Sequence, residues 1–212
     1  GATFPRGVPV PMSGFPAYVH LDGRLVASSR ARISAFDRGF LYGDGLFETL
    51  RSYRGALVAL DDHLDRLQSS AAVFGIPLPG RDWEGQIHAL LRGNGLLRKD
   101  ASVRITVTRG PGPLGLLPPP KVKPTVLMIA TAVGPEVERN QERGVRVVLL
   151  PFAKAGFMPE HKLVNYMPAI FGRMIAREHD AQDGIYAEGG WISEATTANL
   201  FLCRGGRLVT TP

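Results

Sequence analysis

The sequence is short of cysteine, of lysine and of long apolar runs, and each shortage removes a class of protein. A single cysteine, Cys203, among 212 residues cannot close an internal disulfide. That excludes a disulfide scaffold and points to a reducing compartment, the cytoplasm. No uncharged apolar run reaches the ~18–20 residues that span a bilayer, so no membrane partner is expected. The Pro- and Gly-rich opening from Gly1 to Ser13 lacks the apolar stretch of a secretory signal. Residues 1–15 read as an irregular arm, with Met12 as a candidate native start. Cysteine and histidine never fall at metal-ligand spacing, and His161 and His179 are out of helical phase, so no metal is expected. There is no internal repeat. There is also no basic run of five or more residues, although the formal net charge is +6. The arginines are scattered from Arg6 to Arg207, whereas a nucleic-acid footprint is a patch. A diffuse positive field suits solubility, or the attraction of phosphorylated cofactors and carboxylate substrates.

What remains is ordinary for a soluble globular chain: 44% hydrophobic and 21% charged residues. Alternation and turn signals predict a hairpin over Phe15 to Ala27 about Asp22-Gly23. A strand is predicted from Leu46 to Tyr53, turned at Arg54-Gly55 into Ala56 to Leu60. Asp62 reads as the cap of a helix running to about Phe74, with Leu64, Leu67 and Ala71 on one face. A second helix is predicted over Trp83 to Leu97, and strands over Ala101 to Thr108 and Thr125 to Ala132. Arg109 to Pro120 is a Gly/Pro-rich loop. Gly134-Pro135 is the best domain boundary. It is followed by a strand at Val145 to Leu150, a helix at Met167 to His179, and two hairpins: Gly184 to Ser193, then Asn199 to Thr210. The chain stops directly after a strand, and the second domain looks cut off rather than finished.

Three segments carry chemistry. Lysine is scarce: Lys99, Lys121, Lys123, Lys154 and Lys162 are all there are. Lys162 stands in Glu160-His161-Lys162-Leu163-Val164-Asn165-Tyr166, at the border between a loop and an apolar helix. Burial there would disfavour its ammonium form and free the amine as a nucleophile. By position alone a surface lysine is the plainer reading. Glu194 opens Ser193-Glu194-Ala195-Thr196-Thr197-Ala198-Asn199-Leu200-Phe201, either a turn whose hydroxyls satisfy backbone groups or an anion site with a carboxylate able to protonate a ring nitrogen. The third segment is Asp37-Arg38-Gly39-Phe40-Leu41-Tyr42-Gly43-Asp44-Gly45-Leu46-Phe47-Glu48, whose glycines let the backbone approach something closely. It is followed by His63-Leu64-Asp65-Arg66-Leu67. Arg66, on a helix face, is either a solvated surface arginine or a planar fork for a phosphate.

Together and in this order, these segments resemble the class IV (fold type IV) aminotransferases, a family that includes branched-chain aminotransferases, D-amino acid aminotransferases and aminodeoxychorismate lyases. The resemblance runs from about Tyr18 to Pro212. It implies an α+β, two-domain fold of the D-amino acid aminotransferase type, with an N-terminal α/β domain over 16–133 and a C-terminal cofactor-binding domain over 134–212, incomplete at its C-terminus. It implies pyridoxal 5′-phosphate (PLP) as cofactor, amino and keto acids as substrates, and a homodimer. Residue by residue, Lys162 resembles the lysine that holds the cofactor as a Schiff base. Glu194 is similar to the carboxylate on the pyridine nitrogen, Arg66 to the phosphate-binding arginine, and Tyr166 to the tyrosine near the phenolic oxygen. Thr196 and Thr197 lie where small residues border the cofactor, and Phe47 where the substrate pocket is often aromatic.

Such a site implies transfer of an amino group between an amino acid and a 2-keto acid. The freed Lys162 amine would act as general base and acid at the substrate α-carbon, while the cofactor supplies the electron sink. Two departures stand out. The family's Gly-(Ile/Val)-Thr-Arg segment, which opens a phosphate-binding helix, is absent. Leu114 also stands where several relatives carry a carboxylate-gripping arginine, so substrate recognition either differs from theirs or uses Arg104 or Arg109 instead. An aminodeoxychorismate lyase, releasing pyruvate on the same scaffold, is the alternative activity. A non-catalytic binding protein that kept the fold and lost the cofactor is the alternative of another class.

Overall fold

A computed structural model of the chain describes residues 14–153 and 161–210. These fall into two compact units. The first takes the described residues up to Val133 together with His161–Val164. The second takes the remainder from Gly134 onward. The lysine-bearing segment is therefore grouped with strands more than a hundred residues upstream.

The first unit is built on a six-stranded antiparallel sheet in the order β2-β1-β6-β5-β3-β4. Strands β1 (Tyr18–Leu21) and β2 (Arg24–Ala27) form the expected hairpin. Asp22 and Gly23 both take positive φ (48° and 87°), the conformation that a two-residue turn requires. Helix α1 (Arg38–Tyr42) is capped by Asp37, whose side chain accepts from the Gly39 N–H. Strand β3 (Gly45–Tyr53) turns into β4 (Ala56–Leu57). Strands β5 (Ala101–Thr108) and β6 (Thr125–Ala132) fall where the sequence places them.

Helices α2 (Leu60–Val73) and α3 (Trp83–Gly93) cover one face of the sheet. Helix α2 begins at Leu60, without the cap expected from Asp62. Ala59 takes the left-handed conformation (φ 51°) and starts the helix unaided by a side-chain bond. Helix α3 is capped by Asp82, whose side chain accepts from the Gly85 N–H, and ends at Gly93, short of the expected Leu97. The Asn94 side chain there accepts from the Tyr18 N–H and donates to the Tyr18 carbonyl, which locks the turn to β1. The core lies between helices and sheet: Leu46, Leu50, Val103, Ile105, Val107 and Met128 from the strands meet Leu67, Ala71, Ile87, Leu90 and Leu91 from the helices. Alternate residues of β5 point to the other face and stay half-buried.

Buried ion pairs organise the turn regions of this unit. Arg38 is 2% exposed and Asp44 16%. One Asp44 oxygen, Oδ2, accepts from Arg38 Nε at 2.8 Å and Arg109 Nε at 2.7 Å. Burial would raise the Asp44 carboxyl, but the hydrogen bonds and charges of Arg109 and Arg38 outweigh it and hold the group below its ordinary value. Arg38 also donates to the carbonyls of Gly115 and Leu116, so it pins the 110–117 loop. Gly39 and Gly45 of this segment do approach something closely, but it is strand β5. A Cβ on Gly39 would strike the Thr108 side chain, and one on Gly45 would stand 2.8 Å from the Val107 carbonyl.

The second unit contains α4 (Pro135–Arg143), β7 (Val147–Leu150), α5 (Met167–Glu178), β8 (Asp183–Glu188) and β9 (Trp191–Ala195), then β10 (Phe201–Arg204) and β11 (Arg207–Thr210). Strand β7 runs parallel to β8, β8 pairs antiparallel with β9, and β10 with β11 forms a separate hairpin. Gly172 of α5 and Gly184 of β8 both lie against Leu150, where a Cβ would intrude. Helix α4 was not expected from the sequence. No residue of it is buried, so it shows no apolar stripe; Pro135 in its first turn and Gly144 at its end mark it instead.

Candidate functional site

Lys162 is held by backbone pairing. Its carbonyl accepts from the Phe47 N–H at 2.9 Å, and the Val164 N–H donates to the Gly45 carbonyl at 3.1 Å. Leu163 and Leu46 form the antiparallel bridge between these bonds, and Leu163 packs on the core. Because strand side chains alternate, Lys162 is thrown to the side opposite Leu163, and its Nζ lies 5.7 Å from the centre of the Phe47 ring. The Arg104 guanidinium covers the same ring at 4.0 Å. The register aligns Phe47 with Thr106 and Leu127 in one row and Thr49 with Arg104 and Ile129 in the next. Three expected residues, Lys162, Phe47 and Arg104, are thus brought together on the sheet face that the helices leave uncovered.

Arg109 is not among them. Its Nε goes to Asp44, and its two terminal nitrogens donate to the carbonyls of Gly75 and Phe74 at 3.0 and 2.9 Å. All three nitrogens are spent within a buried structural network, so of the two arginines expected to meet substrate only Arg104 stays on the open face.

Arg66 stands on α2 and is 43% exposed. Its Nε and Nη2 donate to the two oxygens of Glu48 at 2.6 and 2.7 Å, and His63 Nδ1 lies 2.8 Å from the second oxygen. Glu48 is only 1% exposed. Burial pushes its carboxyl up, but the hydrogen bonds and charges of Arg66 and His63 prevail, and it lies below its ordinary value. Glu48 is not among the site residues expected from the sequence. The signal was there: it occupies a core-phase position between Leu46 and Leu50, where a carboxylate needs paired charges.

In the second unit, Glu194 lies in β9, half-buried, and bridges across to Asn199. Tyr186 of β8 is 1% exposed. Burial raises its phenol, and the negative charges of Glu194 and Asp183 raise it further. Thr196 is buried, and its hydroxyl donates to Asp183, so its side chain serves the packing of this unit. Tyr166, the residue before α5, and Thr197 line a cavity of about 660 Å³ together with Arg173, Arg177 and Asp183. Arg173 pairs with Asp183 at 3.2 Å.

Residues 45–212 match the family described as amino-transferase class IV. A Methanocaldococcus jannaschii protein that carries the provisional name of a branched-chain-amino-acid aminotransferase is 34% identical over 197 residues, covering 92% of this chain and 68% of its own. The aminodeoxychorismate lyase of Bacillus subtilis is 30% identical over 198 residues, with 92% and 67% covered. Among solved structures, the branched-chain aminotransferase of the archaeon Thermoproteus uzoniensis, determined with norvaline, superposes with a TM-score of 0.79 at 26% identity, over 93% of this chain and 68% of that one. The chain belongs to the class IV aminotransferases, enzymes that work with PLP.

The residues present fit that cofactor within each unit. The first offers a primary amine on an open sheet face and a guanidinium whose orientation is fixed from behind by a buried carboxylate. Arg66 presents Nε and Nη2 to Glu48, which leaves the opposite edge of the fork, at Nη1, aimed away from the core. The second offers a half-buried carboxylate and the Tyr166 phenol.

Proposed function

We propose that Lys162 is the residue that binds the cofactor aldehyde and then moves the proton at the substrate α-carbon, with Arg66 taking the phosphate, Glu194 the pyridine nitrogen and Tyr166 the phenolic oxygen. PLP, when bound, supplies a carbonyl for the substrate amine and a ring that withdraws electron density. The chain supplies the rest. Backbone bonds to Phe47 and Gly45 fix the base of the Lys162 side chain, and Nζ stands 5.7 Å from the centre of the Phe47 ring. Glu48 holds the Arg66 fork in one plane, which lowers the entropy lost on gripping a tetrahedral dianion. Thr197 borders the same cofactor edge as Tyr166, while Thr196 contributes through packing rather than contact.

The observation that carries this reading is the convergence of Lys162, Phe47 and Arg104 on the sheet face opposite the helices. Phe47, Leu127 and Ile129 line that face with apolar surface, and Arg104 adds a cation. The combination suits an amino acid with an apolar side chain and a carboxylate to be gripped, in line with the branched-chain names of the relatives. The B. subtilis relative keeps aminodeoxychorismate cleavage as the second reading.

We further propose a cytoplasmic homodimer. Phe36, Phe40, Leu114, Leu116 and Leu117 are all more than half exposed. The Arg38 bonds to the Gly115 and Leu116 carbonyls and the Gly112 N–H bond to the Phe36 carbonyl gather the loops that carry them, so the patch is built rather than loose.

A screen of amino donors against 2-keto acid acceptors tests the activity, with aminodeoxychorismate as the competing substrate. Borohydride trapping with mass mapping should place the cofactor on Lys162, and Lys162→Ala should abolish both trapping and turnover while Lys99→Ala keeps them. Trapping at another lysine would refute the assignment.

A further inference from the structure

Helix α2 reaches the lysine-bearing segment at a second point. Four residues after Arg66, one helical turn on the same face, stands Ser70, which is 4% exposed. Its hydroxyl is 2.9 Å from Nδ1 of His161. The His161 ring also meets Phe74, the residue that ends the helix, edge to face at 5.1 Å between centroids. His161 immediately precedes Lys162. The backbone of 161–164 is therefore fixed from two sides: by strand pairing to Gly45 and Phe47, and by an imidazole wedged between a buried hydroxyl and an aromatic ring. The same two elements, β3 and α2, hold Arg66 through Glu48.

We infer, given Lys162 as the cofactor-bearing lysine, that His161 is a positioning residue, clamped by Ser70 and Phe74, which sets where the Lys162 amine stands relative to Arg66. A serine hydroxyl suits this task because it both donates and accepts. It can serve a neutral imidazole at Nδ1 as donor and a protonated one as acceptor, so the clamp persists in either charge state. His161 meets Ser70 and Phe74 on the helix side of the segment. It acts through the main chain, where small displacements of a reacting group are costly.

The test uses the full chain with Ser70→Ala, Ser70→Thr and His161→Phe. In the cofactor-free protein, hydrogen exchange at the Phe47 and Val164 amides, the two that tie down the segment, should accelerate roughly tenfold in Ser70→Ala and His161→Phe, with the amides of β5 and β6 unchanged. The rate at which PLP is trapped on Lys162 by borohydride, and kcat, should fall by roughly tenfold or more, while KM for the amino donor moves less than about twofold. Ser70→Thr keeps the hydroxyl and should restore exchange and trapping. The double variant Ser70→Ala/His161→Phe should be no worse than either single, because the two act as a unit. Unchanged local exchange and trapping in Ser70→Ala would overturn the inference, as would a loss that Ser70→Thr fails to rescue or that spreads evenly over the sheet. Failure of the Lys162 assignment itself reads differently: the adduct then maps to another lysine in the unmutated protein.

Discussion

Arg66 lays two nitrogens of its fork on the two oxygens of Glu48, at 2.6 and 2.7 Å, and the carboxylate so gripped is 1% exposed while the arginine is 43% exposed. The pair thus spans the boundary between core and surface. One edge of the guanidinium is committed to the interior, and the other is offered outward in a fixed plane. Replacing Glu48 by Gln keeps the shape and removes the charge. We expect the affinity for PLP to fall roughly tenfold, about 1.4 kcal/mol, measured by titration of the cofactor-free protein.

The same pair sets a pH dependence. Glu48 and Asp44 both lie below their ordinary values in the folded chain. A depressed carboxylate contributes stability that is fully present above its unfolded pKa, about 4 for such groups, and is lost as pH falls through the folded value. Urea midpoints should therefore decline below about pH 4, and the decline should be shallower in Glu48→Gln. An equal slope in both proteins would remove Glu48 from the acid response.

Asp44 joins Arg38 and Arg109 through one oxygen. Asp44→Asn leaves two buried guanidinium groups without their anion. Breaking such a pair costs about 3–5 kcal/mol, and the expectation here is a loss of that size in chemical unfolding. Arg38 also pins the Gly115 and Leu116 carbonyls, so the 110–117 loop should become protease-sensitive in Arg38→Ala before the sheet unfolds.

Much of the first unit was legible in the sequence because its signals are local. β5 and β6 were placed residue for residue: in β5, buried Val103, Ile105 and Val107 alternate with half-buried Arg104, Thr106 and Thr108, a period that only a strand shows. Helix α4 escaped because Glu136 to Arg143 buries nothing and so carries no stripe. The start of α2 was misplaced because Asp62 looked like a cap, whereas an alanine in the left-handed conformation begins the helix. The motif around Lys162 is visible in the sequence, but its attachment to β3 is not, since that pairing joins residues over a hundred positions apart. Arg109 looked as available as Arg104 because sequence does not reveal which donors the Phe74 and Gly75 carbonyls consume.

Glu194 offers a prediction confined to the second unit. Its negative charge contributes to raising the buried Tyr186 phenol, after burial itself. Glu194→Gln should therefore bring the Tyr186 phenol closer to its ordinary value, visible in an alkaline absorbance titration. In the loaded enzyme the same change should retain cofactor yet slow exchange of the substrate α-proton with solvent. Retention of the full exchange rate would remove Glu194 from the mechanism.

Gly45 joins fold and site most directly. Its carbonyl accepts the Val164 N–H, and a Cβ there would stand 2.8 Å from the Val107 carbonyl and 3.1 Å from the Thr108 Cα. Both obstacles are backbone of β5, so neither can swing aside, and the strand pair must part. We expect Gly45→Ala to cost about 1–3 kcal/mol in urea unfolding, the usual range for an overpacked position. Because β3 also carries the bonds to Lys162, the borohydride adduct should form more slowly in this variant than stability alone explains. A control of matched stability loss remote from the strand, such as Leu91→Val in α3, should trap at the normal rate. Equal trapping in the two variants would mean that the β3 register does not govern the lysine.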